Sequence, residues 1–352
     1  MPKHISRRRM LAGMAPLLGA GVAAAAANAP RSTAAPAAGG AQIRGGPGPH
    51  KGHQNRVHGF RNGATVNHRA NGFNPTDMVR DFDWGKTRRL ANGKVLREWE
   101  IVAEDKEIEV APGTKFAAWT YNGRVPGPTL RCREGERLRI KFVNGSAHPH
   151  TIHFHGIHPA KMDGIDEEFG GGMVRTGETF IYEFDAEPFG LHLYHCHTVP
   201  LAEHIAKGLY GAFIVDPKDK NARPDADELV MVMNAFDTNF DFGNEVYAVN
   251  TVGFHYQNEP IRVKRNELVR IYLINMVEFD PINSFHLHAN FFEYFPTGTR
   301  LEPTEFTDTI VQAQGQRGIL EVRFPNTGKF MFHAHKTEFA ELGWLGLFEV
   351  SD

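Results

Sequence analysis

Four histidine triplets restrict what this chain can fold into more than any other feature: His153-Phe154-His155, His195-Cys196-His197, His286-Leu287-His288 and His333-Ala334-His335. They use eight of its 19 histidines. Alternate residues of a strand point to one face, so each triplet, placed on a strand, aims two imidazoles at one point. A chain that spends its histidines this way is expected to be built of strands and to hold metal. Neutral imidazole suits copper, and thiolate strengthens that preference. One triplet alone carries a sulfur between its imidazoles, at Cys196.

The surrounding sequence has the texture of strands. From about Leu96, short apolar runs rich in β-branched and aromatic residues alternate with Gly, Pro and Asn turns, as at residues 116–121, 138–143 and 180–184. This first series closes at residues 211–215, and a polar stretch follows to Pro224. A second series opens at residues 228–233 and closes at 345–350. The two series repeat each other. Glu136-Arg137-Leu138-Arg139-Ile140 is answered by Glu267-Leu268-Val269-Arg270-Ile271, and Phe142-Val143-Asn144 by Leu273-Ile274-Asn275. Each then carries two histidine triplets and a Gly-containing closing strand, and neither has a long helical pattern. The expected fold is all-β, with two related sandwiches over 96–216 and 228–352 and a linker over 217–227.

Residues 1–29 read as an export signal. Ser6-Arg7-Arg8-Arg9-Met10-Leu11 is a twin-arginine pattern, followed by a weakly apolar Ala/Gly/Leu run and an A-x-A site at Ala27-Asn28-Ala29. This predicts export of a folded protein to the periplasm or beyond, and the run is short and Gly/Ala-rich for a spanning helix. Residues 30–95 are expected to be a flexible leader and N-terminal extension, richest in Ala, Gly and Pro over 30–60. His50, His53, His58 and His68 lie in or just past it and read as solvated side chains, with weak copper capture as the alternative. The net charge of −2 gives no reason to expect nucleic-acid or membrane binding. The two cysteines suggest no disulfide framework, and Cys132 reads as a small buried hydrophobe.

The first half holds a second arrangement of ligands. His150 precedes the first triplet, and His204 and Leu209 follow Cys196. Two histidines and a cysteine in a trigonal site with a weak axial group form a blue-copper electron-transfer centre. Leu209 stands where a methionine commonly supplies that axial group. A non-ligating residue there favours Cu(I) and predicts a strong electron acceptor.

On these residues the chain resembles the two-domain, laccase-like multicopper oxidases with blue copper only in domain 1. Pro126-Gly127-Pro128-Thr129, His153-Phe154-His155-Gly156 and Met162-Asp163-Gly164 add to the resemblance, which covers about residues 96–352. It implies cupredoxin-like Greek-key sandwiches and four copper ions per chain. It assigns His150, Cys196 and His204 to the type 1 copper, with Leu209 axial. His153 and His286 match the type 2 ligands, and His155, His195, His197, His288, His333 and His335 the type 3 ligands. It also points to Asp163 as a catalytic carboxylate near the type 2 copper that relays protons or orients water. Glu203, Glu338 and Glu341 are weaker candidates. His148, His158, His192 and His255 are expected to be supporting or structural.

The sequence departs from the family pattern in both halves. His204 follows Cys196 by eight residues rather than the five common in laccases, which leaves His192 as an alternative. In the second half Ala334, Asn283 and Phe339 replace the Cys and the two His of a blue site, so no type 1 copper is expected there.

A three-copper cluster needs both sandwiches, and two domains leave each half with an unmatched face. A head-to-tail ring satisfies every face, and the resemblance implies a homotrimer with the cluster between subunits. The expected activity is one-electron oxidation of four reductant equivalents, phenols or aromatic amines, coupled to reduction of O2 to water. The reductant could instead be a metal ion. The alternatives are a copper-containing nitrite reductase, whose family carries an Asp where His153 stands, and an exported copper-tolerance protein.

Overall fold

A computed structural model of the chain describes residues 65–165, 172–280 and 282–352. The export signal and His50, His53 and His58 of the leader lie outside the described residues. The described part belongs to one compact unit, built of two β-sandwiches.

In the first sandwich one sheet runs in the order Phe82–Asp83, Thr129–Arg133, Tyr210–Asp216, Gly190–His195, His153–Phe154. The other runs Lys86–Arg89, Val95–Ala111, Arg137–Asn144, Thr179–Asp185, with Thr114–Tyr121 paired to Val95–Ala111. In the second sandwich the sheets run Val246–Val249, Asp227–Phe236, Leu268–Asn275, Arg317–Arg323, Phe292–Pro296, Glu305–Thr307, and Ile261–Lys264, Leu345–Ser351, Gly328–His333, Ile282–Leu287, Thr309–Ala313.

The internal repeat of the sequence is a repeat of topology. Val95–Ala111 lies parallel to Arg137–Asn144 as Asp227–Phe236 lies parallel to Leu268–Asn275. Thr129–Arg133 pairs in parallel with the closing strand Tyr210–Asp216 as Ile261–Lys264 does with Leu345–Ser351. The register also repeats at the triplets, where His153 stands opposite His195 and His286 opposite His333. Asn144 and Asn275 are both fully buried, and each spends its side chain tying down nearby loop backbone.

Each sandwich has its own core, and a third apolar core joins them. Strand periodicity explains the division. Along Asp227–Phe236, Leu229, Met231 and Met233 enter the second sandwich, while Val230, Val232 and Phe236 enter the joining core. Along Tyr210–Asp216, Phe213 and Val215 face the first sandwich, and Tyr210, Ala212 and Ile214 face its neighbour. Burial on both faces is why these strands read as unbroken apolar runs.

Regular elements are already present before Leu96. Two one-turn helices, His68–Asn71 and Pro75–Met78, form a strap across both sandwiches. The Asn71 side chain exchanges two hydrogen bonds with the backbone of Glu109 in the first sandwich. On the other side Arg80 pairs with Asp227, and Tyr256 donates to the Pro75 carbonyl. Phe73 and Met78 enter the joining core and Val79 the core of the second sandwich. His68, expected to be solvated, packs instead edge-on against His255 of the second sandwich.

Candidate metal centre

The first site lies inside the first sandwich. The Cys196 Sγ stands 3.1 Å from His204 Nδ1 and 3.9 Å from His150 Nδ1, and the two nitrogens are 3.1 Å apart. All three side chains are buried. His204 sits on the short helix Leu201–Ala206, which closes over Cys196. That helix occupies the longer spacing between Cys196 and His204. His192, the alternative for this position, points elsewhere, with its nitrogens 3.1 Å from the His155 carbonyl and 2.9 Å from that of Pro188. Leu209 is fully buried beside the site, and its carbonyl accepts the Cys196 N–H at 2.9 Å. Trp119 packs against His148, His150 and His204 at ring separations of 4.7 to 5.1 Å.

The protonation of His150 follows from its partners. Its Nε2 is 2.9 Å from Ser146 Oγ, and that hydroxyl donates to Asp105 at 2.6 Å. A carboxylate only accepts, so the Ser146 oxygen is left to accept the proton of His150 Nε2. The Nδ1 lone pair then faces Cys196 and His204.

The eight histidines of the triplets fall into two groups of four. In the first, His155 Nε2 approaches His195 Nε2 to 2.9 Å, and His195 Nδ1 is held by the Cys196 carbonyl at 2.8 Å. His153 presents Nδ1 to both the backbone oxygen and the carboxylate of Asp163, each at 2.9 Å. In the second, His288 Nε2 approaches His333 Nε2 to 3.0 Å, and His333 Nδ1 is held by the Ala334 carbonyl at 2.7 Å. His286 Nδ1 is engaged by the Asp308 carbonyl at 3.0 Å and by the Thr309 hydroxyl at 2.8 Å.

The groups are near copies. From His153 the ring centroids of His155, His195 and His197 lie at 5.0, 5.3 and 5.3 Å. From His286 those of His288, His333 and His335 lie at 5.0, 5.4 and 5.3 Å. Within one chain they remain separate, since no ligand cluster among the described residues draws on both. The first group is partly or fully buried, whereas His288 and His335 of the second are exposed.

The second sandwich keeps the frame of the first site without its ligands. Ala334 donates its N–H to the Trp344 carbonyl, and Trp344 donates to the Phe339 carbonyl, as Cys196 does to Leu209 and Leu209 to His204. Asn283, Ala334, Phe339 and Trp344 occupy the positions of His150, Cys196, His204 and Leu209, and all are buried. Phe339 stacks on Tyr247 at 3.9 Å, and Trp344 packs edge-on against Phe285. The space is filled with apolar rings.

Asp163 was expected beside a metal. The structure places its carboxylate on Nδ1 of His153 at 2.9 Å, where His158 also reaches it at 3.3 Å. His158 was expected to be supporting or structural, and its partner could not be read from spacing. Glu203, Glu338 and Glu341 lie exposed on short helices.

The donors suit copper. Burial, followed by the neighbouring His204, lowers the pKa of His150 to about 3; burial and the adjacent His195 take His155 to about 2. Burial also takes His195 and His204 to about 4. These rings therefore keep free lone pairs at neutral pH. The Nδ1 of His197 is buried without a hydrogen-bond partner, an orphan that a metal would satisfy. Burial pushes the Cys196 thiol up, and a bound metal would deprotonate it.

Residues 102–220 and 222–352 both match multicopper oxidase domains. The chain belongs to the multicopper oxidases, a family of copper-dependent oxidoreductases. A crystal structure of a multicopper oxidase is 62% identical, with a TM-score of 0.79, covering 82% of this chain and all of that one. A blue copper oxidase from Nitrosomonas europaea is 27% identical with a TM-score of 0.66, covering 72% of this chain and 86% of that one. A copper-containing nitrite reductase from Neisseria gonorrhoeae is 30% identical over 266 residues, covering 69% of this chain. That match spans 64% of the relative's own length.

Proposed function

We propose that the chain is a laccase-like oxidase that takes single electrons from phenols or aromatic amines at His150, Cys196 and His204 and delivers them to O2 at a cluster held by the other eight histidines. Copper, four ions per chain, would supply the one-electron acceptance at the first site and the reduction of O2 to water at the second. The protein's part is to hold, wire and shield these centres. Cys196 is flanked by His195 and His197, so one stretch of backbone joins the two sites. His153 and His286 match type 2 ligands, and the remaining six match type 3 ligands. Asp163, on Nδ1 of His153, acts through that ring as a positioning residue and, with His158, offers protons a route.

The observation that carries this reading is the near-identity of two four-histidine groups that one chain keeps apart. Each is half a cluster, and a head-to-tail homotrimer pairs the first group of one chain with the second group of the next. The surface around the second group supports this. Ile282 and Val311 lie on the same sheet face as His286 and are 53% and 60% exposed. Nearby Phe291 and Phe306 pack against each other, 52% and 66% exposed. Such a patch is expected where another chain docks.

The similarity to nitrite reductases keeps that activity as the second reading. It is disfavoured by His153 in place of the carboxylate and by four histidines in each group. Copper analysis with EPR, together with O2 uptake on a phenolic donor, separates the readings. The oxidase predicts four ions per chain, a coupled pair and O2 consumption. A reductase would show two ions per chain and turnover of nitrite. Cys196→Ser should abolish the blue colour and turnover while leaving the assembly intact; retained activity would refute the wiring.

A further inference from the structure

The ligands of the first site are closed off from solvent. His150, Cys196 and Leu209 are fully buried, and His204 is 3% exposed. A donor therefore cannot rest against the rings that would hold the copper. One indole covers them. The Trp119 ring centroid lies 5.1 Å from that of His150 and 4.8 Å from that of His204, so it touches both imidazoles of the site. The same indole packs at 4.7 Å against His148, an exposed residue. Strand alternation puts it there. Along Thr114–Tyr121, Phe116 and Ala118 enter the joining core, while Trp119 and Tyr121 turn into the first sandwich. The Trp119 N–H then donates to the Lys207 carbonyl at 2.9 Å, at the end of the helix that carries His204. Tyr247 holds the same place in the second sandwich. Its N–H donates to the Leu342 carbonyl at 3.1 Å, and its ring stacks on Phe339, which replaces His204. There the ring is tied off, its hydroxyl donating to Asp280 at 2.6 Å. Trp119 ends instead against an exposed imidazole.

We propose that Trp119 and His148 form the seat of an aromatic electron donor, with the indole carrying the contact from the donor to His150 and His204. The inference rests on the oxidase reading and names the surface at which its reductant binds. Coupling for electron transfer weakens steeply with separation. Trp119 is a ring that touches both imidazole ligands and also borders an exposed neighbour. Aromatic rings pair edge to face or offset. The indole and the His148 imidazole are tilted by 40°, which offers an aromatic guest a face and an edge together. The exposed imidazole also presents a ring nitrogen to a phenol hydroxyl or an aromatic amine. A bare metal ion would gain nothing from the indole edge, so the seat favours the organic donors. In the step it serves, one electron leaves the donor ring and reduces copper(II) at the first site to copper(I). The phenol proton passes to water, and a phenoxyl radical departs.

Guaiacol, a phenol, tests the proposal on the copper-replete full-length protein. Mixed anaerobically with the oxidised protein, it should bleach the blue band with a saturable dependence on its concentration. In Trp119→Leu and in His148→Ala the half-saturating concentration should rise roughly 2–10-fold, the worth of one aromatic contact. In Trp119→Leu the limiting rate should fall as well, and Trp119→Phe, which keeps a ring, should restore most of both. The blue spectrum and the reduction potential should match the native protein, which damage to the site itself would not allow. A second readout needs no turnover. In reduced protein carrying isotopically labelled tryptophan, guaiacol should move the Trp119 indole N–H resonance, identified by its absence from Trp119→Phe. A native protein without a blue band would sink the oxidase reading and this inference with it. A blue protein whose guaiacol dependence is unchanged in His148→Ala or in Trp119→Leu, or whose Trp119 resonance does not move, would overturn this inference alone.

Discussion

Ser146→Ala would test how the structure prepares His150 for metal. The hydroxyl stands between Asp105 and His150 Nε2. Burial works against the charge of Asp105, yet the hydrogen bonds from Ser146 and the Ala147 N–H hold its pKa below the usual carboxylate range. Asp105 therefore remains an acceptor and fixes the direction of both bonds. Removing the hydroxyl has two effects. The Nε2 proton of a fully buried ring loses its acceptor, which should cost about 1–3 kcal/mol of stability. The ring also becomes free to carry its proton on Nδ1, the nitrogen that must face the metal. Loss of such an orienting partner costs roughly 10–100-fold in metal affinity, or about 1.4–2.8 kcal/mol. Chelator titration of the blue absorption would read the second effect, and urea unfolding of the metal-free protein the first. Thr309→Val is the internal comparison. His286 Nδ1 keeps the Asp308 carbonyl at 3.0 Å when Thr309 is lost, so the change there should be smaller. Unchanged chelator and urea midpoints in Ser146→Ala would refute the reasoning.

Three further outcomes follow from the geometry. Ala334→Cys should not create a second blue centre, because Phe339 and Asn283 offer no imidazole and Trp344 fills the space; a new blue band in the purified variant would contradict this. Paired Ile282→Glu and Val311→Glu should release monomers that keep the blue colour and lose O2 reduction by more than tenfold, measured by sedimentation and oxygen electrode; an active assembly would count against docking at this face. In metal-free protein, His150, His155, His195 and His204 stay neutral when folded down to pKa values of about 2 to 4. The unfolded chain binds protons to these groups near pH 6.5, so stability should fall as pH drops below about 6.5 and continue falling to the folded values. Equal urea midpoints at pH 7.5 and 5 would show that these rings are not buried neutral.

The triplets and the repeated strands were legible because both depend on short-range periodicity. So was the loss of the second blue site, since three substitutions fall at fixed spacings from the triplets. What the sequence hid was made by packing between distant segments. The strap over residues 65–81 has two helices of four residues each, too short to show a hydrophobic period. The joining core could have been inferred from residues 229–233, whose apolar run fails to alternate. Ser146 and Asp105 lie 41 residues apart, and nothing local marks Asp105 as a partner of a metal ligand. Asp163 was named from the sequence, but its contact with His153 depends on the turn after the triplet, which spacing does not fix.

The alternation of a single strand explains how one chain keeps two kinds of centre apart and still joins them. Tyr194 and Cys196 turn into the core of the first sandwich, alongside Leu209. His195, in phase with Leu191 and Leu193, lies on the opposite face, and His197 follows it by two. The thiol is thereby enclosed in an apolar core while its two neighbours stand on the outer side, within ring contact of His153. The second sandwich obeys the same alternation: Phe332 and Ala334 are in its core, and His333 and His335 lie outside. Exchanging the inward residue between Cys and Ala does not disturb the outward pair, whose ring separations are 5.7 Å in one half and 5.8 Å in the other. A sandwich can therefore lack the buried thiol and still hold its outward group of four histidines. That group is partly covered, with His288 and His335 exposed, and exposed Ile282 and Val311 share its sheet face, which is the surface the proposed trimer would bury.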